Sequence, residues 1–215
     1  MRSLITGASR GIGAELLAQS IRRGDTAIGT STKGTRPLLQ LDVTNPGDMA
    51  RLAHSLGDDP LDTLICNAGI YADKGQPLDT GYPTEMWAAG FATNVTGVFL
   101  TIQSLLPHLK RSQSGKIAII SSQMGSQTQA PGGSYIYRAS KAAALNLGRN
   151  LATDLASTGI AVGIYHPGWV QTDMGGAQAA ITAQASATGL LDRIDSLSLA
   201  TTGCFETWDG RPHPF

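Results

Sequence analysis

Residues 3–13 of the chain read SLITGASRGIG and join a short apolar stretch to a turn that contains three glycines. The stretch Ser3–Ile5 predicts a short buried strand. From residue 14 to residue 23 the apolar side chains follow helical spacing, and Gly24 ends this predicted helix. The chain therefore opens with a strand, a glycine-rich turn and a helix, which is typical of a doubly wound α/β fold.

The three glycines of the turn, Gly7, Gly11 and Gly13, suit different physical tasks. Gly7 permits a tight turn, Gly11 lets the backbone approach a pyrophosphate, and Gly13 lets the helix pack closely on the sheet. The start of the helix then offers free N–H groups and a partial positive charge to an anion. An ordinary glycine-rich turn is the alternative, but its position after the first strand favours dinucleotide binding.

The rest of the chain alternates strands with helices, which predicts parallel strands joined by right-handed crossovers. Short apolar runs without period-two alternation favour strands that are buried on both faces. We expect one single-domain Rossmann-type fold over residues 1–215, a doubly wound parallel sheet of about seven strands with helices on both faces. The other predicted strands are Thr26–Gly29, Leu38–Val43, Leu61–Cys66, Lys116–Ile120, Ile160–Tyr165 and Gly203–Thr207, and the other predicted helices are 45–56, 84–110 and 134–157.

Composition excludes several classes of protein. The 215 residues hold 16 basic and 16 acidic side chains without any basic block, which argues against a nucleic-acid partner. Cys66 and Cys204 lie far apart and the four histidines are scattered, so we expect no metal site. No stretch resembles a signal peptide or a bilayer-spanning segment, which favours a cytoplasmic protein without a membrane partner.

Tyr137 and Lys141 lie four residues apart on the predicted helix and therefore share one of its faces. A tyrosine hydroxyl titrates near ~10, and a cation about 4 Å away at an effective dielectric near ~20 would lower its pKa by about 3. Such a tyrosine serves as a general acid or base. Tyr135 is the rival candidate, but residue 139 is alanine, so Tyr135 lacks a lysine partner. A surface pair of helical neighbours is the plain alternative.

Seven motifs occur in one order along the chain, and together they resemble the one-domain short-chain dehydrogenase/reductase family. The length, the active-site sequence YRASK and the ending WDGR are similar to its C-factor and sniffer-like carbonyl reductase branch. The resemblance covers the chain from its first strand to about Thr172. The motifs are TGASRGIG at 6–13, Asp42-Val43, Asn67-Ala68-Gly69, Asn94, Ser121-Ser122, Tyr137-x-x-x-Lys141 and Pro167-Gly168.

This resemblance implies a catalytic role for four side chains. Tyr137 would pass a proton to or from the substrate oxygen, and Lys141 would lower its pKa and hold the nicotinamide ribose. Ser122 would donate a hydrogen bond to the carbonyl oxygen, and Asn94 would hold a water that links Lys141 to solvent. A strand cap by the two serines is the alternative, and the choice of Ser122 over Ser121 rests on the family pattern.

The resemblance also implies a set of cofactor contacts. Asp42 would accept a hydrogen bond from the adenine amino group, with Val43 beside the ring, and Thr172 would hold the carboxamide. A helix-start role is the alternative for Asp42. The residues expected to bind the cofactor are Gly7, Ser9, Arg10, Gly11, Ile12, Gly13, Thr30, Lys33, Asp42, Val43, Asn67, Ala68, Gly69, Tyr137, Lys141, Pro167, Gly168, Val170 and Thr172.

The charges near the second strand favour NADP(H) over NAD(H). An NAD site of this fold usually ends that strand with an acidic residue, whereas residues 28–33 contain none. Arg10 and Lys33 suit a 2′-phosphate, and Arg36 is a further candidate.

The expected activity is that of an NADP(H)-dependent oxidoreductase that interconverts a small-molecule carbonyl and a secondary alcohol. Two alternatives stay open: an NAD-dependent alcohol dehydrogenase, and a dinucleotide-binding regulatory or signalling protein with incidental activity. The loop 70–83 and the segment after Thr172 would border the substrate. The alanine-rich helix at 134–157 and the resemblance leave a homodimer or homotetramer open.

Overall fold

A computed structural model describes all 215 residues. Seven parallel strands form the central sheet, in the order β3-β2-β1-β4-β5-β6-β9, and β7 pairs with β8 in a small second sheet. The strands are β1 Arg2–Ile5, β2 Thr26–Ser31, β3 Leu39–Gln40, β4 Thr63–Cys66, β5 Lys116–Ile120, β6 Ala161–His166, β7 Val170–Gln171, β8 Ile181–Thr182 and β9 Phe205–Thr207. The helices are α1 Gly11–Arg22, α2 Pro46–Ser55, α3 Thr84–Phe91, α4 Gly97–Arg111, α5 Tyr135–Ala156 and α6 Ala183–Ser196. This topology confirms the predicted doubly wound fold.

Each face of the sheet carries its own core. On one face, Leu4, Leu64 and Ile117 pack with side chains of α2, α4 and α5. On the other face, their chain neighbours Ile5 and Ile65 pack with side chains of α1 and α6. Successive side chains of a strand point to opposite faces, so a strand that is apolar at every position must be covered on both sides. The unbroken apolar runs in the sequence follow from this arrangement.

The chain changes direction in the sheet between β1 and β4. It passes outward from β1 to β2 and β3, and it then returns to place β4 on the other side of β1. Loops that leave the carboxyl ends of β1 and β4 therefore diverge around a crevice, which is where doubly wound folds bind ligands. The glycine turn follows β1 and residues 67–69 follow β4, so the fold alone brings these two segments together.

Residues 84–111 form one continuous helix of 28 residues, in which a π-helical turn at Ala92–Thr96 separates α3 from α4. This helix is long and apolar enough to cross a membrane by length and composition, contrary to the expectation that no segment is. Its buried residues Val98, Ile102 and Leu105 belong to the core under the sheet, which explains their apolar character. The π-helical turn was not predicted, and it holds Asn94.

The prediction missed helix α6 and the β7–β8 pair, and it made β3, β4 and β9 too long. Helix α6 was missed because its sequence is rich in small and polar residues; only its tertiary contacts, through Leu190, Leu191 and Ile194, show why it is a helix. The third strand is shorter than predicted, since it ends at Gln40 and the chain turns at Asp42.

Candidate active site

The loops after β1 and β4 are joined by four hydrogen bonds. The hydroxyl oxygen of Thr6 accepts from the backbone N–H groups of Asn67 and Ala68, both at 3.0 Å. In return, Asn67 Nδ2 donates to the carbonyl oxygens of Thr6 at 3.0 Å and Gly7 at 3.1 Å. Asn67 therefore holds the two sides of the crevice in register, beside the glycine turn.

Two positions of the turn require glycine, because neighbouring atoms lie too close for a Cβ atom. A Cβ atom on Gly13 would lie 2.3 Å from the Gly7 carbonyl oxygen and 2.5 Å from Asn67 Nδ2. Gly7 has φ +67°, and a Cβ there would lie 2.9 Å from Ala68 Cα. Side chains at these positions would push helix α1 away from the sheet. The close helix–sheet packing expected of Gly13 is thus present.

The start of α1 fits a dinucleotide pyrophosphate. Arg10 precedes the helix without capping it, and the first turn carries no acidic side chain. The first N–H groups of the helix therefore keep their capacity to bind an anion, and the helix dipole adds a partial positive charge. Gly11 has φ +55°, and a Cβ there would lie 3.2 Å from Thr172 Cγ2, so Thr172 borders the same turn. Ser9 is exposed and Ile12 half-buried in this turn.

The predicted 2′-phosphate side chains lie at the edge of the crevice. The Ala8 N–H donates to the carbonyl oxygen of Thr30 at 2.8 Å, which places the glycine turn against the end of β2. Arg10 forms an ion pair with Asp173, and both side chains are 76% exposed. Lys33 is exposed and forms no ion pair. Thr30 itself is fully buried, and its carbonyl oxygen supports the turn.

Three further predicted cofactor residues have structural partners of their own. The Asp42 carboxylate accepts from the Thr44 N–H at 2.9 Å and from its hydroxyl at 2.7 Å, so it closes the turn before α2. Val43 packs in the core, where α4 approaches it at Gly97. Val170 is also buried. The helix-start role belongs to Asn45, whose side chain accepts from the Gly47 N–H, so Asp42 does not cap α2, and its other carboxylate oxygen has no hydrogen-bond partner.

The turn at Pro167 and Gly168 follows β6 and is fixed by the end of the chain. The Pro167 carbonyl oxygen accepts from the Ser186 hydroxyl of α6 at 2.6 Å. Gly168 has φ +88° and packs against Ile181 and Trp208. This turn brings Thr172 to the glycine turn, where its hydroxyl oxygen accepts from the Gly175 N–H at 3.1 Å. The predicted nicotinamide side of the crevice is thus assembled by residues far apart in sequence.

The four predicted catalytic residues meet at the carboxyl ends of β4 and β5. Ser122 follows β5, and its hydroxyl interacts with the phenol of Tyr137. Ser121 instead donates to the Lys141 carbonyl oxygen at 3.0 Å and so fixes α5 to the strand. This contact distinguishes the two serines: Ser122 faces the tyrosine and Ser121 does not. Gly125 lets the intervening turn approach the backbone of Lys141 within van der Waals contact.

Lys141 and Asn94 lie on the other side of the tyrosine. Lys141 Nζ lies 5.7 Å from the centre of the Tyr137 ring and donates to the Ile120 carbonyl oxygen at 2.9 Å. Asn94 is buried; its oxygen accepts from the Ile70 N–H at 2.9 Å, and its amide donates to the Ile70 carbonyl at 2.9 Å and to Ser140 Oγ at 3.0 Å. Asn94 thus holds the loop after β4 against α5.

The pKa of Tyr137 is not lowered by Lys141 as predicted. Burial raises the pKa of Tyr137 to about 12, although the Ser122 hydroxyl opposes part of this rise. Burial likewise lowers the pKa of Lys141 to about 8. The ammonium group is directed to the Ile120 carbonyl rather than to the phenol, so desolvation outweighs the attraction that the helical spacing suggested.

A Lys141→Met variant is expected to be more thermally stable than the wild type at pH 7, by about 1–2 kcal/mol, because it removes a buried charge and loses one hydrogen bond. The lysine is charged below pH 8, where the cost of burial is complete, and it becomes neutral in the folded protein between pH 8 and its ordinary range. The gain should therefore shrink between pH 7 and pH ~9.5.

Thermal unfolding followed by circular dichroism at the two pH values measures this difference. Lys110→Met, on the exposed side of α4, is the matched control and should show no pH-dependent gain. A Lys141→Met protein that is destabilised equally at both pH values would show that the buried charge is not the cause.

Two residues near the tyrosine were missed from the sequence. The carboxylate of Asp73 is fully buried and accepts from the N–H groups of Ile136 and Tyr137. The ring of Tyr71 stacks on that of Tyr137, with centres 4.2 Å apart and planes 19° apart. Both lie in a polar loop more than 60 residues before α5, and no spacing in the sequence links them to that helix.

Several known proteins are similar to this chain in sequence and in fold. The family model described as short chain dehydrogenase matches residues 2–182. C-signal of Myxococcus xanthus is 36% identical over 168 residues, covering 78% of this chain and 100% of its own length. NADPH-bound carbonyl reductase from chicken fatty liver is 29% identical, with a TM-score of 0.90 and coverage of 100% of this chain and 98% of that chain. Carbonyl reductase Sniffer of D. melanogaster is 26% identical, with a TM-score of 0.90 and coverage of 100% and 99%.

The family match spans the crevice, the serine, the tyrosine and the lysine, and it covers more than half of the chain. The fold of the similar carbonyl reductases extends over all of it. The chain therefore belongs to the short-chain dehydrogenase family and is an NAD(P)-dependent oxidoreductase.

Proposed function

We propose that the protein uses NADP(H) to interconvert a carbonyl compound and a secondary alcohol, with Tyr137 as the general acid or base. The observation that carries this proposal is the buried tyrosine hydroxyl next to Ser122, with Lys141 behind its ring. The nicotinamide supplies or removes a hydride at the carbonyl carbon when it is bound. The protein must then supply or remove a proton at the oxygen.

The side chains divide this proton chemistry among themselves. In the reducing direction Tyr137 donates its proton to the substrate oxygen, and the Ser122 hydroxyl donates a hydrogen bond where negative charge develops. The high pKa of the buried tyrosine keeps it protonated at neutral pH, which suits an acid. Lys141, which keeps its positive charge below pH 8, would lie beside the polar groups of a nicotinamide ribose and would stabilise the tyrosinate.

The segment around β7, which is expected to border the substrate, carries exposed apolar side chains. Trp169 is 54% exposed, and its Nε1 donates to the Gly175 carbonyl oxygen at 2.9 Å, which fixes the ring. Met174, in the same segment, is also exposed. Lys74 Nζ lies 3.4 Å from the Met174 carbonyl oxygen and joins the loop after β4 to this segment. We infer a substrate that carries an apolar group beside its carbonyl.

A panel of ketones and aldehydes with apolar substituents of increasing size tests this proposal. Oxidation of NADPH, followed by its absorbance, should depend on the carbonyl compound and on the enzyme. Turnover of secondary alcohols with NADP⁺ should follow the same order of preference. Absence of turnover with every carbonyl and alcohol, in a protein that still binds NADPH, would contradict the proposed reaction.

The cofactor preference is tested at Arg10. We expect Arg10→Ala to weaken NADPH binding by about tenfold and to leave NADH binding almost unchanged, because the guanidinium would contact only the 2′-phosphate. Fluorescence titration with each nucleotide measures both affinities. Arg22→Ala, at the opposite end of α1, is the control and should change neither.

A substitution at Asp173 is expected to change NADPH affinity in the opposite direction. It pairs with Arg10, so Asp173→Asn should strengthen NADPH binding, although by less than about fivefold, since exposed ion pairs are weak. Equal losses of NADPH and NADH affinity in Arg10→Ala would contradict the assignment of Arg10. Tighter binding of NADH than NADPH by the wild type would favour the NAD-dependent alternative.

A further inference from the structure

The loop after β4 holds the start of helix α5 through a buried carboxylate. Asp73 Oδ2 accepts from the Ile136 N–H at 2.8 Å, and both carboxylate oxygens lie within 3.3 Å of the Tyr137 nitrogen. These N–H groups belong to the first turn of α5 and have no partners within the helix. Ser134, which directly precedes the helix, has φ +50° and makes no capping bond, so Asp73 takes that role from 63 residues away.

The same loop also holds the ring of the tyrosine. Tyr71 stacks on the Tyr137 ring, and the hydroxyl groups of Tyr71 and Ser134 share a hydrogen bond of 2.5 Å. The base of the loop is fixed as well, since Asn94 binds both the N–H and the carbonyl of Ile70. Backbone and ring of Tyr137 are thus held by one segment that is itself anchored to the π-helical turn.

A residue that served only to cap the helix would not need to bury a charge. Asp, Asn, Ser and Thr cap helices about equally well, and a fully buried carboxylate carries a desolvation cost that a serine avoids. Here the charge lies against the residue whose hydroxyl must move a proton. The Asp73 carboxylate at the Tyr137 backbone therefore affects the reaction in two ways. It helps to fix where the phenol lies, and its negative charge acts on the phenol.

We propose that Asp73 is a positioning residue for the reaction: it fixes the backbone of Tyr137 while Tyr71 fixes the ring, and its charge favours the protonated phenol. This inference rests on the proposed role of Tyr137 as acid or base. It assigns to the loop after β4 a part in the proton transfer as well as in bordering the substrate.

The charges around the tyrosine set the direction of the expected effect. Lys141 faces it from its own helix, and Asp73 and Tyr71 face it from the loop after β4; the Ser122 hydroxyl is neutral. The Asp73 charge and Tyr71 both add to the rise in the pKa of Tyr137 that burial causes. Removal of the Asp73 charge should therefore lower the pKa of Tyr137 and make the tyrosinate easier to form.

The test compares Asp73→Asn with Asp154→Asn. Asparagine keeps the shape and one acceptor for the helix, whereas Asp154 lies exposed near the far end of α5 without a hydrogen bond and serves as the matched control. In the alcohol-oxidising direction the rate rises with pH as the tyrosine loses its proton. This rise should begin about one pH unit lower in Asp73→Asn than in the wild type.

The steady-state constants give a second readout. A displaced tyrosine should reduce kcat for carbonyl reduction by about tenfold or more, while the Kd for NADPH, measured by fluorescence, stays within about twofold. Asp154→Asn should match the wild type in pH profile, kcat and Kd. An unchanged pH profile in a folded Asp73→Asn protein, or a loss of NADPH affinity as large as the loss of kcat, would overturn the inference.

Tyr71→Leu tests the same unit if Asp73→Asn does not fold. It removes the stacked ring and leaves the Asp73 hydrogen bonds. We therefore expect a lower kcat, a rate that begins to rise at lower pH and an unchanged Kd for NADPH. An unchanged kcat and pH profile would overturn the inference.

Tyr137→Phe distinguishes a failure of the proposed role of Tyr137 from a failure of the proposed role of the loop. If that variant keeps its activity, the proposed role of Tyr137 fails; if it is inactive and both loop variants behave as the wild type, only the role of the loop fails.

Discussion

Replacement of Tyr137 by phenylalanine is expected to reduce turnover by about a thousandfold, since positioned acid–base groups contribute 10²–10⁴-fold. The substitution removes one hydroxyl and keeps the ring that stacks on Tyr71. Binding of NADPH should persist, because the glycine turn and the start of α1 are untouched. Initial rates of carbonyl reduction and a fluorescence titration of the same preparation measure the two properties separately.

Tyr135→Phe is the matched control for this experiment. Tyr135 lies two residues earlier on α5, is 38% exposed and contacts Tyr82 edge to face rather than the serine or the lysine. Its loss should leave turnover within about twofold of the wild type, as for surface changes away from a site. If the two variants lost activity equally, Tyr137 would not be the acid or base. A biological output that survives in an inactive Tyr137→Phe protein would favour the signalling alternative.

Replacement of Gly13 by alanine is expected to damage both the fold and the cofactor site. The new methyl group would lie 2.3 Å from a backbone carbonyl oxygen of the glycine turn, and a backbone atom cannot rotate out of the way as a side chain does. Overpacking of this kind costs about 1–3 kcal/mol, which lowers Tm by about 3–10 °C in a chain of this length. The start of α1 must also shift, so NADPH affinity should fall by about tenfold or more.

Gly47→Ala is the control, because Gly47 lies in the first turn of α2 and a Cβ there would meet only side-chain atoms, Asn45 Oδ1 at 3.2 Å and Arg51 Nη1 at 3.6 Å. Alanine is a better helix former, so this variant should be as stable as the wild type or slightly more so. Calorimetry and a titration with NADPH compare the two proteins. A Gly13→Ala protein with wild-type Tm and affinity would show that the close packing of α1 on the turn is not needed for binding.

The fold was predictable because its signals are local. A strand covered on both faces has to be apolar at every position, and a helix has to show apolar residues at its own period, so both leave a pattern in any short window. The β1–α1 unit, β5, β6 and β9 were predicted on such patterns and are present. Helix α6 was missed because its helical state depends on contacts with α1 rather than on a strong local pattern.

The site was predictable in part. Gly13, Asn67, Ser122, Tyr137 and Lys141 are brought to one crevice, as the order of motifs in the chain implied. The burial of Thr30 and Val43 was not predictable, since the sequence records the type of a residue and not the direction of its side chain. The prediction that the Lys141 ammonium group lies close to the Tyr137 hydroxyl was wrong. Residues that share a helix face are neighbours, but this does not decide which of two nearby groups a long side chain binds.

By itself the sequence determined the doubly wound sheet, the anion-binding turn and the spacing of the tyrosine and lysine, all of which depend on residues a few positions apart. Tertiary structure alone decided that Ser121 binds the Lys141 carbonyl, that burial raises the tyrosine pKa, and that Asp73 and Tyr71 hold the start of α5. The physical reason is that desolvation, stacking and capping across 60 residues depend on distances in space. These distances are fixed only in the folded chain, when the loops after β4 and β5 pack against α5.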